Sequence, residues 1–126
     1  MARILIIEDN PANMKLACLL LNNAGHLPLC ATDAETGMTM ARDEQPDLIL
    51  MDIQLPGIDR LTATSLLKQA SVTAAIPIIA LTAMAMKDDQ EKAEAAGCDA
   101  YVAKPLRYLE LYAVIDAQLA RSTGRL

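Results

Sequence analysis

The chain predicts an α/β fold, a doubly wound parallel sheet of five strands with a helix after each. Three observations carry this prediction. Short continuous apolar runs stand at Ile4–Ile7, Leu48–Met51, Ile76–Leu81 and Tyr101–Ala103, with a weaker one at Leu27–Ala31. Longer stretches with helical periodicity separate them, at 11–24, 34–44, 59–70, 86–96 and 106–121. The hydrophobic fraction is 53% with positive mean hydropathy, enough for the core of one domain in 126 residues. Runs that are continuous rather than alternating mean strands buried on both faces, as in parallel sheets covered by helices.

The punctuation places each element. Asn10 is positioned to cap the first helix, with Pro11 at its first position. Gly25 closes that helix and Gly97 closes the fourth. Pro46, Pro77 and Pro105 fall at junctions, where a missing N–H does least harm. Residues 1–121 are expected to form the domain and 122–126 a frayed tail. Trp and Phe are absent and Tyr occurs three times, so the core is aliphatic.

Composition excludes several function classes. Against 16 Asp+Glu stand 11 Lys+Arg, a net charge of −5. Nucleic-acid surfaces want a basic stripe, and anionic membranes attract basic segments. No apolar run reaches the ~18 residues of a membrane span. The run Ile4–Ile7 stops at Glu8 and Asp9, too short for a secretory signal. Cys18, Cys30 and Cys98 are odd in number and widely spaced, which reads as free buried thiols in a reducing cytoplasm. His26, the only histidine, follows Ala24-Gly25 and is expected to face solvent; one His and no Cys pair leave no zinc set.

Ligands of open parallel sheets bind at the carboxyl ends of the strands. Glu8 and Asp9 follow the first run, Asp52 follows the third, Thr82 the fourth, and Lys104 with Pro105 the fifth. Three carboxylates, a hydroxyl and an ammonium therefore converge on one rim. Clustered carboxylates repel unless a cation is present, and Mg²⁺ suits a few carboxylates plus water and substrate oxygens. With Lys104 opposite, the arrangement suits a phosphoryl group. Asp52 is placed to be its nucleophile, with Thr82 bonding an oxygen of the transferring group. Taken singly, each residue also has an ordinary reading: dipole partner, turn residue, helix cap or solvated cation.

The stretches Ile4-Leu-Ile-Ile-Glu-Asp-Asn10, Pro46-Asp-Leu-Ile-Leu-Met-Asp-Ile-Gln-Leu-Pro56, Ile78-Ile-Ala-Leu-Thr-Ala83 and Gly97-Cys-Asp-Ala-Tyr-Val-Ala-Lys-Pro105 make the chain resemble a response-regulator receiver domain, in order and at matching spacing. Within that family it is most similar to stand-alone receivers of the DivK type. The resemblance implies a flavodoxin-like (βα)₅ sheet in strand order 2-1-3-4-5. It implies that Asp52 accepts a phosphoryl group from a phosphohistidine of a histidine kinase or histidine phosphotransfer protein. Mg²⁺ (or Mn²⁺) would be held by Asp9, Asp52 and the backbone carbonyl of Gln54, with Glu8 acting through water. Lys104 would pair with the phosphoryl group ahead of a cis bond to Pro105. Thr82 and Tyr101 would form the switch, and a downstream protein would read the face of the fourth helix, fifth strand and fifth helix. Gln54 and Met84 would flank the path of attacking water and set the phosphoryl lifetime.

The first helix carries two apolar stripes. Leu16, Leu20 and Ala24 are expected to face the sheet, and Met14, Cys18 and Leu21 to form a partner-docking surface, with Pro105 beside it. One position departs from the family: Arg60 stands where a glycine is usual, which bears on local loop geometry. Three competing readings are weighed. A haloacid-dehalogenase-type aspartyl-phosphate phosphatase would carry its nucleophile first and the acidic pair last, the reverse of the order here. A non-phosphorylated pseudo-receiver scaffold would have lost an acidic residue or the lysine, and none is missing. A flavin carrier would need donors, not carboxylates, after the first strand.

Overall fold

The computed structural model of the chain describes residues 1–53, 58–82 and 87–123. Strands and helices alternate throughout: β1 (Arg3–Ile7), α1 (Pro11–Asn23), β2 (Leu27–Ala31), α2 (Ala34–Glu44), β3 (Leu48–Asp52), α3 (Ile58–Gln69), β4 (Ile78–Thr82), α4 (Lys87–Ala96), β5 (Ala100–Ala103) and α5 (Tyr108–Thr123). The sheet is parallel in the order β2-β1-β3-β4-β5, as expected. Its register sets Ile7 beside Ala31 and Met51, Asp52 beside Leu81, and Thr82 beside Ala103, so all five carboxyl ends finish along one rim.

Side-chain alternation along each strand divides the apolar residues between two cores. Leu5, Ile7, Ile49, Met51, Ile78 and Ala80 pack under α2, α3 and α4. Ile4, Ile6, Leu48, Leu50, Ile79 and Leu81 pack under α1 and α5. Because both faces are covered, β1, β3 and β4 are buried nearly end to end, which is why their sequences read as unbroken apolar runs.

The helix starts follow capping chemistry. Asn10 Oδ1 accepts from the Asn13 N–H at 3.0 Å, with Pro11 at the first helical position. Asp33 does the same for α2, accepting from Thr36 N–H at 2.7 Å. Gly25 and Gly97 close α1 and α4 at φ +83° and +104°, values that favour glycine. α2 ends instead on Gln45 at φ 47°, whose own amide donates to the carbonyls of Ala41 and Arg42.

Four expectations are corrected. β4 begins at Ile78, not Ile76: Pro77 has no N–H for the ladder, and Ile76 N–H bonds Thr73 in a turn. His26 is half-buried rather than solvent-facing, because its Nδ1 accepts the Ala2 N–H at 3.1 Å. The cysteines are not buried and remote: Cys18 and Cys98 are half-buried and Cys30 is exposed, and Cys18 Sγ lies 3.3 Å from Cys30 Sγ. The faces of α1 differ from those read from the sequence, although Leu20 packs against the core as expected. Leu21 is 0% exposed, and Met14 and Cys18 pack against the core with it, whereas Leu16 is 41% and Leu19 55% exposed. Positions 14, 17, 18 and 21 fall within about 100° of helix circumference, which is the width of a core-facing stripe. A spacing of i, i+4, i+8 drifts away from such a stripe.

Candidate functional site

The rim at the carboxyl ends is built by three strands and one loop. Glu8 prolongs β1, its N–H bonding the Ala31 carbonyl at 3.0 Å, and strand alternation turns its side chain inward. Glu8 is 2% exposed, while Asp9, the next residue, faces solvent. Asp52, the last residue of β3, is 1% exposed. Thr82 ends β4 and is buried, and its carbonyl accepts the Lys104 N–H at 2.7 Å, which fixes the start of the loop after β5. The Lys104–Pro105 peptide is cis.

Lys104 ties the rim together. Its Nζ lies 3.0 Å from Glu8 Oε1 and 3.1 Å from Asp52 Oδ2. Carboxylate oxygens of Glu8, Asp9 and Asp52 all come within 4.8 Å of one another. Two buried carboxylates thus share one ammonium, with the exposed Asp9 carboxylate beside them. Burial holds the Glu8 carboxyl above its usual range, contact with Asp52 pushes the same way, and Lys104 opposes both. Glu8 Oε2 is buried with no hydrogen-bond partner among the described residues. Hard oxygen donors in excess of positive charge, one of them without a partner, fit a divalent ion such as Mg²⁺ or Mn²⁺ that keeps some of its waters.

Of the other residues singled out in the sequence, Tyr101 on β5 is 37% exposed and points outward. Pro105 is exposed and, with Leu16, Ala17 and Leu106, lines an apolar cavity of about 90 Å³ that reaches Glu8 and Lys104. Gln54 and Met84 lie outside the described residues. Leu21, Met14 and Cys18 face the core and so do not form an open docking face. The sequence did not reveal that one lysine serves both Glu8 and Asp52. The signal available was the approach of the first, third and fifth strand ends, which only strand order supplies.

Flavodoxin-like order with a carboxylate cluster and a lysine at the carboxyl edge defines a class of phosphoryl-handling switch domains. The family model for the response regulator receiver domain matches residues 4–116, and the chain belongs to that family. It is 42% identical over 110 residues to the polar-differentiation response regulator DivK of Brucella anthropi, covering 85% of this chain and 89% of the relative. The receiver domain of a sensor histidine kinase from Pseudomonas aeruginosa PAO1 superposes with a TM-score of 0.86 at 33% identity, over 94% of this chain and 98% of that one. That structure has a magnesium ion coordinated in its active-site cleft. A CheY-like receiver domain protein from Methanospirillum hungatei JF-1 gives 0.88 at 25% identity, over 100% and 99% of the two chains. Among the described residues no helix is long and apolar enough to cross a membrane.

Proposed function

We propose that the domain, residues 1–121, is a cytoplasmic single-domain response regulator that accepts a phosphoryl group on Asp52 and passes the signal on by protein contact. The observation that carries this reading is a buried carboxylate at the centre of the rim, 3.1 Å from Lys104 and beside two further acids. Burying a carboxylate is costly unless it is paired, and a paired acid held at a strand end beside further acids marks a candidate functional site.

An Asp52 carboxylate oxygen attacks the phosphorus of a phosphohistidine. The phosphorus–nitrogen bond breaks as the phosphorus–oxygen bond forms, and the imidazole leaves on the donor protein. Asp9 and Asp52, with Glu8 beside them, would hold Mg²⁺ or Mn²⁺, and the family resemblance adds the Gln54 carbonyl to that set. Such an ion would supply positive charge for the transferring oxygens. Lys104 exchanges a carboxylate partner for a phosphoryl oxygen, and the Thr82 hydroxyl bonds another. Tyr101 then follows Thr82 inward, changing the surface around α4, β5 and α5 that the downstream protein reads. Attack of water on the aspartyl-phosphate resets the switch without a further enzyme.

The donor, a histidine kinase or histidine phosphotransfer protein, docks over the exposed side of α1. Leu16 and Pro105, which line the cavity beside the rim, take the part first given to Met14, Cys18 and Leu21, with Leu19 exposed further along the same helix. Incubation with acetyl phosphate and Mg²⁺ tests the site. One hydroxylamine-sensitive phosphoryl adduct, mapping to the peptide that carries Asp52, is expected; an adduct elsewhere, or none, overturns the assignment. Leu16→Glu should slow transfer from the cognate donor about tenfold or more while leaving acetyl phosphate labelling unchanged, since loss of a well-packed apolar anchor costs over ~1 kcal/mol.

A further inference from the structure

Away from the acidic rim, two thiols from different elements touch. Cys18 projects from the middle of α1 and Cys30 from β2, and their sulfurs are 3.3 Å apart. A disulfide brings sulfurs to ~2.05 Å, so little more than an ångström separates this pair from a bond. The two are unequal in access. Cys30 is exposed, and Cys18 is half-buried against the core that includes Leu21. An accessible thiol with a second one behind it is the arrangement of a redox pair, in which one sulfur meets the oxidant and the other resolves it.

We propose that Cys18 and Cys30 are a redox-modification site, closing to a reversible intrachain disulfide when the protein meets a hydroperoxide. The Cys30 sulfur attacks the peroxide, breaking its oxygen–oxygen bond, and leaves as a sulfenic acid while the peroxide departs as water or an alcohol. The Cys18 sulfur then displaces the sulfenic hydroxyl, the thiol proton leaving with it as a second water. Two electrons pass in total from the thiol pair to the peroxide, and a dithiol reductant returns them. Burial, followed by the neighbouring Cys30, pushes the Cys18 thiol up to about 11, which suits it to wait as the resolving partner rather than to react first.

The bond joins two segments that flank the acidic loop. α1 starts directly after Asp9 and its cap Asn10, and Ala31, next to Cys30, holds the Glu8 N–H. Cys98 sits apart from the pair and serves as an internal control.

The test uses the whole reduced protein, treated with hydrogen peroxide, alkylated, digested and mapped by mass. The expected product is a Cys18–Cys30 crosslinked peptide that is lost on treatment with dithiothreitol, with Cys98 still alkylated. Dimedone should trap a sulfenic acid on Cys30 in Cys18→Ser and nothing on Cys18 in Cys30→Ser. The proposal is overturned if both thiols remain alkylatable, if Cys30 proceeds to sulfinic acid with no crosslink, or if the crosslink joins Cys98 or a second chain. A dimedone adduct on Cys18 in place of Cys30 equally overturns it. The parent protein carries the primary readout, so a poorly folding variant does not blunt the test, and no readout depends on whether Asp52 is phosphorylated.

Discussion

The two ends of the sheet carry the same residue types to opposite ends. At the amino ends the acidic side chains accept hydrogen bonds from the strands themselves. Asp47 Oδ2 takes the Arg3 N–H at 2.8 Å, and Asp99 Oδ2 takes the Ile78 N–H at 2.9 Å while also pairing with Lys68. His26 Nδ1 takes the Ala2 N–H in the same manner. Each acid there finishes a local backbone account, which is a structural role. At the carboxyl ends Glu8 and Asp52 instead converge on each other and share one ammonium, and an oxygen of Glu8 is left without a hydrogen bond. An acid that the backbone satisfies stabilises the fold; an acid set against other acids is available for chemistry.

The largest effect expected from this contrast is at Asp52. Asp52→Asn keeps the shape of the side chain and should lose all aspartyl-phosphate, whereas Asp99→Asn should label like the parent; intact mass before and after hydroxylamine reads both. Next comes the metal. Asp9→Asn should weaken Mg²⁺ by about 100-fold and Glu8→Gln by about tenfold, in the range found when groups supporting a metal site are removed. Calorimetric titration that gave equal affinities for both variants and the parent would make the acidic pair structural, erasing the difference between the ends.

Stability should move the other way at Glu8. Its folded value lies above the ordinary carboxyl value of 4.5, chiefly through burial, so the folded protein binds the proton more tightly than the unfolded chain. Metal-free protein should therefore gain stability as pH falls through the folded value towards 4.5. Glu8→Gln should flatten that gain and raise the melting midpoint at neutral pH. A midpoint that falls, with the pH slope unchanged, would show that the ionised form is the stabilising one. The smallest effect belongs to the amino end. Asp47→Ala removes one exposed hydrogen bond to Arg3 and should cost about 1 kcal/mol in denaturant unfolding, with phosphoryl labelling untouched.

Most of the fold was legible because its signals are local. Continuous apolar runs marked β1, β3 and β4, and Asn10, Pro11, Gly25 and Gly97 marked helix ends from neighbours in the sequence. The rim was legible because carboxyl-terminal positions can be read once strands are placed. What escaped was contact across elements. Nothing near Cys18 in the chain announces Cys30, since the contact between α1 and β2 exists only once the helix has packed on the sheet. α1 misled because it is apolar on several sides, so the choice of buried face fell to small Ala17, which lets the helix lie close, rather than to the bulkier Leu16. His26 was drawn inward by the Ala2 N–H, a partner 24 residues away.

The contact between Lys104 and Glu8 joins residues 96 apart in the chain. A contact of such long separation closes a long loop, at an entropic cost that grows slowly with its length. β5 must pair with β4, through Lys104 N–H and Thr82, before the ammonium can reach the acids at the far side of the rim. A chain caught before that last strand docks holds Asp52 and both its acidic neighbours, but lacks the cation that makes the set usable. The completeness of the site is therefore a measure of the completeness of the fold: a copy with β5 undocked has its acids without their ammonium.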